Sequence, residues 1–130
     1  MQVAAILEHK LKDYARALKW YRHAAAHGSA AGKFGVAVLY RDGLSVSRDM
    51  VEAAKWMTAS AEGQNAGAQH NIGVMYLRGD GVSRDVRKAI YWFEASARQG
   101  DKNAYKALYT LAQQGLYDGS RLSSLPFQVL

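Results

Sequence analysis

The three tryptophans of this chain are Trp20, Trp56 and Trp92, two successive steps of 36 residues. The same step joins Tyr40 to Tyr76, Val46 to Val82, Ala17 to Ala53 and Ala89, and Gly43 to Gly79 and Gly115. A period of this order, held by so many residue types, marks a stack of small units. Each unit is too short to bury its own apolar face and must bury it against its neighbours.

The punctuation inside each period gives two helices per unit. Ser29, Asn65 and Asp101 precede one set of apolar helical stretches, and Asp13, Asp49 and Asp85 precede the other. All are residues whose side-chain oxygen accepts from the free N–H groups of a first helical turn. Glu52, three residues after Asp49, suggests a reciprocal capping box. Gly28, Gly63 and Gly100 close the second helix of each unit, where a left-handed residue is wanted. In the third unit Ala68, Ile72, Met75 and Tyr76 share one helical face, as do Ala89, Trp92, Phe93, Ser96 and Ala97. Gly73 lies inside a helix at a cost of about 1 kcal/mol relative to Ala, which points to close approach of the partner helix. A single proline, Pro126, and abundant alanine suit helix throughout.

The fold expected is therefore all-α: an α/α superhelix, or solenoid, of antiparallel helix pairs forming one domain. Residues 1–28 read as a partial first unit, a shortened first helix and a turn followed by a second helix from Asp13. Residues 29–63 and 64–100 are complete units. Residues 101–130 supply the first helix of a fourth unit and a tail. In that tail Leu122, Leu125, Phe127, Val129 and Leu130 either fold back as a cap or extend freely.

Ile72-Gly73-x-x-Tyr76 fits the first-helix core of a tetratricopeptide, and Ala89-x-x-x-Phe93 fits its second helix. With the 36-residue period and the longer turn Gly79-Asp-Gly81-Val82, followed by Asp85, Lys88-Ala89 and Trp92-Phe93, the chain resembles the Sel-1-like repeat family over roughly residues 13–114. It departs from that pattern at Ser45, where the next unit has Gly81, at Ala37 for Gly73, and at Gln64, which occupies the usual Gly position. The resemblance implies a non-enzymatic protein-interaction scaffold or adaptor.

Candidate chemistry is absorbed by the repeat. Arg78-Gly79-Asp80 spells an adhesion tripeptide, and Gly79-x-Gly81 the start of a phosphate loop. Both are periodic turn residues, and neither the strand nor the third glycine of a dinucleotide fingerprint is present. His23 and His27 stand at i, i+4 without the acidic residue of a zinc-protease motif. The chain has no cysteine, so disulfides and thiolate metal sites are excluded. No cofactor, metal or small-molecule substrate is expected.

Removing the core set from the first helices leaves Phe34, Val38 and Arg41, then His70, Val74, Leu77 and Arg78, then Lys106. By the tetratricopeptide analogy these line a concave face. They read as an apolar floor of Phe34, Val38, Val74 and Leu77 with a basic rim of Arg41, His70, Arg78 and Lys106, suited to a protein or peptide segment carrying acidic residues. The alternative for Phe34 and Leu77 is packing between neighbouring first helices. A second reading is self-association through the solenoid ends, with Val3, Ile6 and Leu7 at one end and Leu108 and Leu111 at the other, unless the tail covers them or the chain is a fragment of a longer repeat array. A third is nucleic-acid binding along Lys12, Arg16, Lys19 and His23, in keeping with a formal charge of +6. It ranks behind a protein partner because basic residues also serve as ordinary helix-surface residues. The early apolar run Val3–Leu7 is too short for a signal core or a membrane span. The chain is expected to be cytosolic, or exported with a signal removed.

Overall fold

The computed structural model describes residues 2–126, with side chains described from residue 9 onward. Val3, Ile6 and Leu7, and Phe127, Val129 and Leu130, lie outside that set. Six α-helices follow one another: α1 Gln2–Ala26, α2 Ala30–Asp42, α3 Met50–Glu62, α4 Ala66–Arg78, α5 Val86–Arg98 and α6 Lys102–Gln113. A 3₁₀ segment, Gly119–Ser124, comes last. Each helix packs on the next in chain order, and the 3₁₀ segment returns onto α6. This is the α/α solenoid that the period requires.

The caps explain the helix starts. Ser29, Asp49, Asn65, Asp85 and Asp101 each accept a hydrogen bond from a backbone N–H of the first turn. Asp13 does not. It lies inside α1, an unbroken helix of 25 residues where a short helix, a turn and a new helix were expected. The reason is local: before Asp49 and Asp85 the chain carries glycine turns at Gly43 and at Gly79 and Gly81, whereas Glu8–Lys12 has no glycine to break the helix. The Asp49–Glu52 capping box is half formed. Asp49 accepts from the Glu52 N–H, but the Asp49 N–H donates to the Tyr40 carbonyl and the Glu52 carboxylate faces Lys55 at 3.9 Å.

The left-handed closures follow the repeat even where glycine is missing. Gly28 and Gly100 have φ of +86° and +99°. In the middle unit that conformation falls to Gln64, with φ +68°, while Gly63 has φ −82°. Gly63 serves close approach instead, since a Cβ there would lie 2.9 Å from the Ala30 Cβ.

The core is built between units. Ala37, Ala53, Met57, Ala61, Ala68 and Ile72 are fully buried in one cluster, and Ala89, Phe93, Ala97, Ala104 and Leu108 in the next. Gly73 is explained as the sequence suggested: a Cβ there would meet the buried Phe93 ring at 2.8 Å. Two polar ties repeat with the units. The Ser60 hydroxyl donates to the Ala30 carbonyl at 2.6 Å, and the Ser96 hydroxyl donates to the Ala66 carbonyl at 2.8 Å.

The C-terminal end of the stack is covered. Tyr117 and Leu125 are buried in the same cluster as Leu108 and Leu111, with Leu122 packed against it. A polar clamp fixes this cap. Buried Glu94 accepts from the Tyr117 hydroxyl at 2.8 Å and from the Arg121 guanidinium at 2.7 Å. Burial, together with Glu94, raises the Tyr117 pKa well above its ordinary value. The neutral phenol is thus the form the fold favours, and this contribution is complete below about pH 10 and lost as pH rises beyond it. Glu94→Ala leaves the Tyr117 hydroxyl buried without its partner. It is expected to cost about 1–3 kcal/mol, read as a lowered midpoint in urea unfolding.

Candidate functional site: two repeat-related pockets

The first pocket lies between α1 and α2 and is lined by Tyr14, Ala17, Tyr21, Phe34, Gly35, Val38, Leu39 and Leu44. The second is lined by Arg41, Met50, His70, Asn71, Val74, Met75, Arg78 and Asp80. They occupy the same place in successive units. Stepping by 36 takes Tyr14 to Met50, Phe34 to His70, Gly35 to Asn71, Val38 to Val74, Leu39 to Met75 and Leu44 to Asp80. The scaffold is the same and the chemistry is opposite. The first pocket is aromatic and aliphatic, whereas the second has two guanidinium groups, an imidazole, an amide and a carboxylate around Val74 and two methionines.

The charges of the second pocket are unequally engaged. Arg41 makes a two-pronged contact with Asp42, at 3.0 and 3.2 Å. The hydrogen bond from Arg41 holds the Asp42 carboxyl below the usual carboxylate range despite partial burial. One period on, the register of Asp42 is taken by Arg78, which is exposed and makes no ion pair among the described residues. Arg78 is therefore the uncommitted cation of the pocket. The His70 ring stands 3.2 Å from the Asn71 side-chain oxygen and 5.9 Å, centroid to centroid, from the Phe93 ring. Arg48 and Arg84 have another role: each donates to the carbonyl of the seventh residue before it, Arg41 and Leu77, and so closes a helix end.

Of the residues singled out from the sequence, Arg41, His70, Val74 and Arg78 come together in one pocket, and Phe34 and Val38 in the other. Leu77 and Lys106 line neither. Leu77 is half-buried against the core cluster of α5 and α6, and Lys106 is exposed on α6. Phe34 has a double role, since it also packs toward α4, where a Cβ on Gly67 would touch its ring at 3.5 Å. Sequence reasoning missed Tyr14, Tyr21, Leu44, Met50, Asn71 and Asp80. The repeat register was the available signal for most of them, because six of the eight lining positions of one pocket map onto the other; Tyr21 is outside that register match.

Among the described residues no group of three or more His, Cys, Asp or Glu is placed to hold a metal ion. The His27 Nδ1 lies 2.9 Å from the His23 carbonyl oxygen. No helix among the described residues is long and apolar enough to cross a membrane.

Stacked helix pairs sharing apolar cores from unit to unit, with varied pockets at a constant register, define a helical-repeat scaffold. The Sel1 repeat model matches residues 9–29, 30–65 and 66–101, and the chain belongs to the Sel1 repeat family. Proteins of this family generally act as protein-interaction scaffolds and are typically non-enzymatic. The chain is similar to a Sel1 repeat protein from Oxalobacter formigenes, at 33% identity and a TM-score of 0.73, over 75% of this chain and 40% of that one. It is also similar to c5321, a protective antigen of uropathogenic Escherichia coli strains displaying an SLR fold, at 34% identity and a TM-score of 0.76, over 79% of this chain and 22% of that one. The chain thus spans less than half the length of either. No curated protein matches it.

Proposed function

We propose that this chain is a scaffold whose first helices hold an extended or helical partner segment on their concave face, reading one apolar and one acidic feature in succession. The observation that carries the proposal is the pairing of repeat-related pockets with opposite chemistry. The pocket at Val38 accepts an aromatic or aliphatic side chain, and the pocket at Arg78 accepts a carboxylate. Apolar anchoring beside a charge-selective contact is how grooves of this kind obtain both affinity and register. Leu77 and Lys106 act at most as flanking surface.

Selection from a random peptide library is expected to enrich sequences with an acidic residue near an aromatic or aliphatic one. Arg78→Glu should weaken those peptides at least about tenfold, the scale of a charge-assisted hydrogen bond turned to repulsion. Because Arg78 is exposed, its thermal midpoint should not move. Val38→Asp should remove the apolar preference. Selected peptides that bind both variants as well as the wild type would show that the groove is elsewhere.

End-to-end association draws no support from the C-terminal end, where Leu108 and Leu111 are covered by Tyr117 and Leu125.

A further inference from the structure

Trp20 is 71% exposed, the largest exposure among the large apolar side chains described. Its repeat partners are not exposed in this way. Trp56 packs against the cluster of Leu18 on α1 with Val36 and Leu39 on α2, and Trp92 packs against the cluster that includes the matching Ala54, Ile72 and Met75. The face around Trp20 also departs from those inner faces. His23 stands where they carry Ala59 and Ala95, and Ala24 stands where Ser60 and Ser96 make their ties to the helix before them, the first helix of their own unit. This face would offer a helix docked in the manner of α2 on α3 no such serine tie, and an imidazole in place of a methyl group.

It carries a cationic, planar surface instead. Arg16, Lys19, Trp20 and His23 line one shallow pocket with no aliphatic side chain in it. The indole and the His23 imidazole meet edge to face at 6.4 Å, and His27 follows at 4.5 Å from His23. Guanidinium, indole and two imidazoles thus succeed one another along the end of α1 and into the turn that follows it. Residues 9–28 hold five Lys or Arg against one Asp, a formal +4 out of the chain's +6. Asp13 engages His9 at 3.2 Å and Arg16 more loosely at 3.8 Å.

We propose that this face of α1 binds single-stranded nucleic acid, with a base stacked on Trp20 and phosphates on Arg16 and Lys19. Positive grooves with exposed aromatic groups hold single strands without sequence preference, because every base offers a flat face. An acidic amphipathic helix is the competing occupant. It would need an aliphatic floor for its apolar anchors, and the pocket has none. The inference does not depend on the groove at Val38 and Arg78.

The test uses a fluorescently labelled oligothymidylate at low salt, followed by polarisation, with the tryptophan emission of the protein recorded alongside. Expected are binding, quenching of the emission, and a fall in affinity with salt of about 0.7 in log–log slope for each phosphate contacted. Trp20→Ala should weaken binding at least about fivefold and Trp20→Phe much less, since stacking survives. Lys19→Glu should reduce both affinity and the salt slope. Circular dichroism confirms that each variant is folded. The proposal is overturned if no polarisation change occurs at low salt, or if Trp20→Ala binds like the wild type, which would leave charge alone. It is also overturned if a polyglutamate peptide quenches the tryptophan as strongly as the oligonucleotide does.

Discussion

Gly81→Ala is expected to destabilise the protein by about 3 kcal/mol or more, a substantial part of the total stability of a domain this size. Two costs combine. Gly81 has φ +73°, a left-handed conformation that strains any side chain. A Cβ there would also fall well inside contact distance of the Met50 carbonyl oxygen, and backbone at the start of α3 cannot swing away as a side-chain tip can. One period earlier the sign reverses. Ser45 occupies the same turn position with φ +66° and is exposed. Ser45→Gly should stabilise by about 0.5–1 kcal/mol by relieving the conformational strain. Urea unfolding of the two variants measures both effects. Equal and small shifts would mean that the turn, and not its contact with α3, sets the cost at Gly81.

The pairing of Gly73 with Phe93 makes the second large prediction. Phe93 is fully buried, so Phe93→Ala should cost about 3–5 kcal/mol. Gly73→Ala should cost about 1–3 kcal/mol through the 2.8 Å approach to the ring, partly offset by about 1 kcal/mol of better helix propensity. The preceding unit shows how the two positions compensate. It has Ala37 and Met57 at the same register, both fully buried in one cluster. A small residue faces the broad ring, and a larger one faces the slimmer thioether. Gly73→Ala in a Phe93→Met background should therefore cost much less than in the wild type, with a coupling of about 1 kcal/mol or more in a double-mutant cycle. Strict additivity would show that the two positions do not share a packing constraint.

Much of this was legible in the sequence because it is local. A cap is a hydrogen bond across three residues, and a left-handed closure is a property of one residue in its turn. The start points at Ser29, Asp49, Asn65, Asp85 and Asp101 and the closures at Gly28 and Gly100 could be read directly. Asp13 failed as a cap because an aspartate alone does not end the helix before it. The site was partly legible for the same reason. Position 78 stands out as the register where Asp42 is replaced by Arg, but its grouping with Met50 and Asn71 needs α3 and α4 in place.

The sequence by itself determined the period, the two helices per unit and the solenoid that follows, since these rest on spacing and on contacts within a few residues. Only the tertiary structure decided which surfaces those units leave open. Burial depends on whether a neighbour is present, so three tryptophans in identical register become two half-buried side chains and one exposed on α1. Leu108 and Leu111 are also interior, in a cluster to which Tyr117 and Leu125 of the returning tail contribute. Two copies of one pocket likewise took opposite chemistry from the side chains that adjoining helices bring to them.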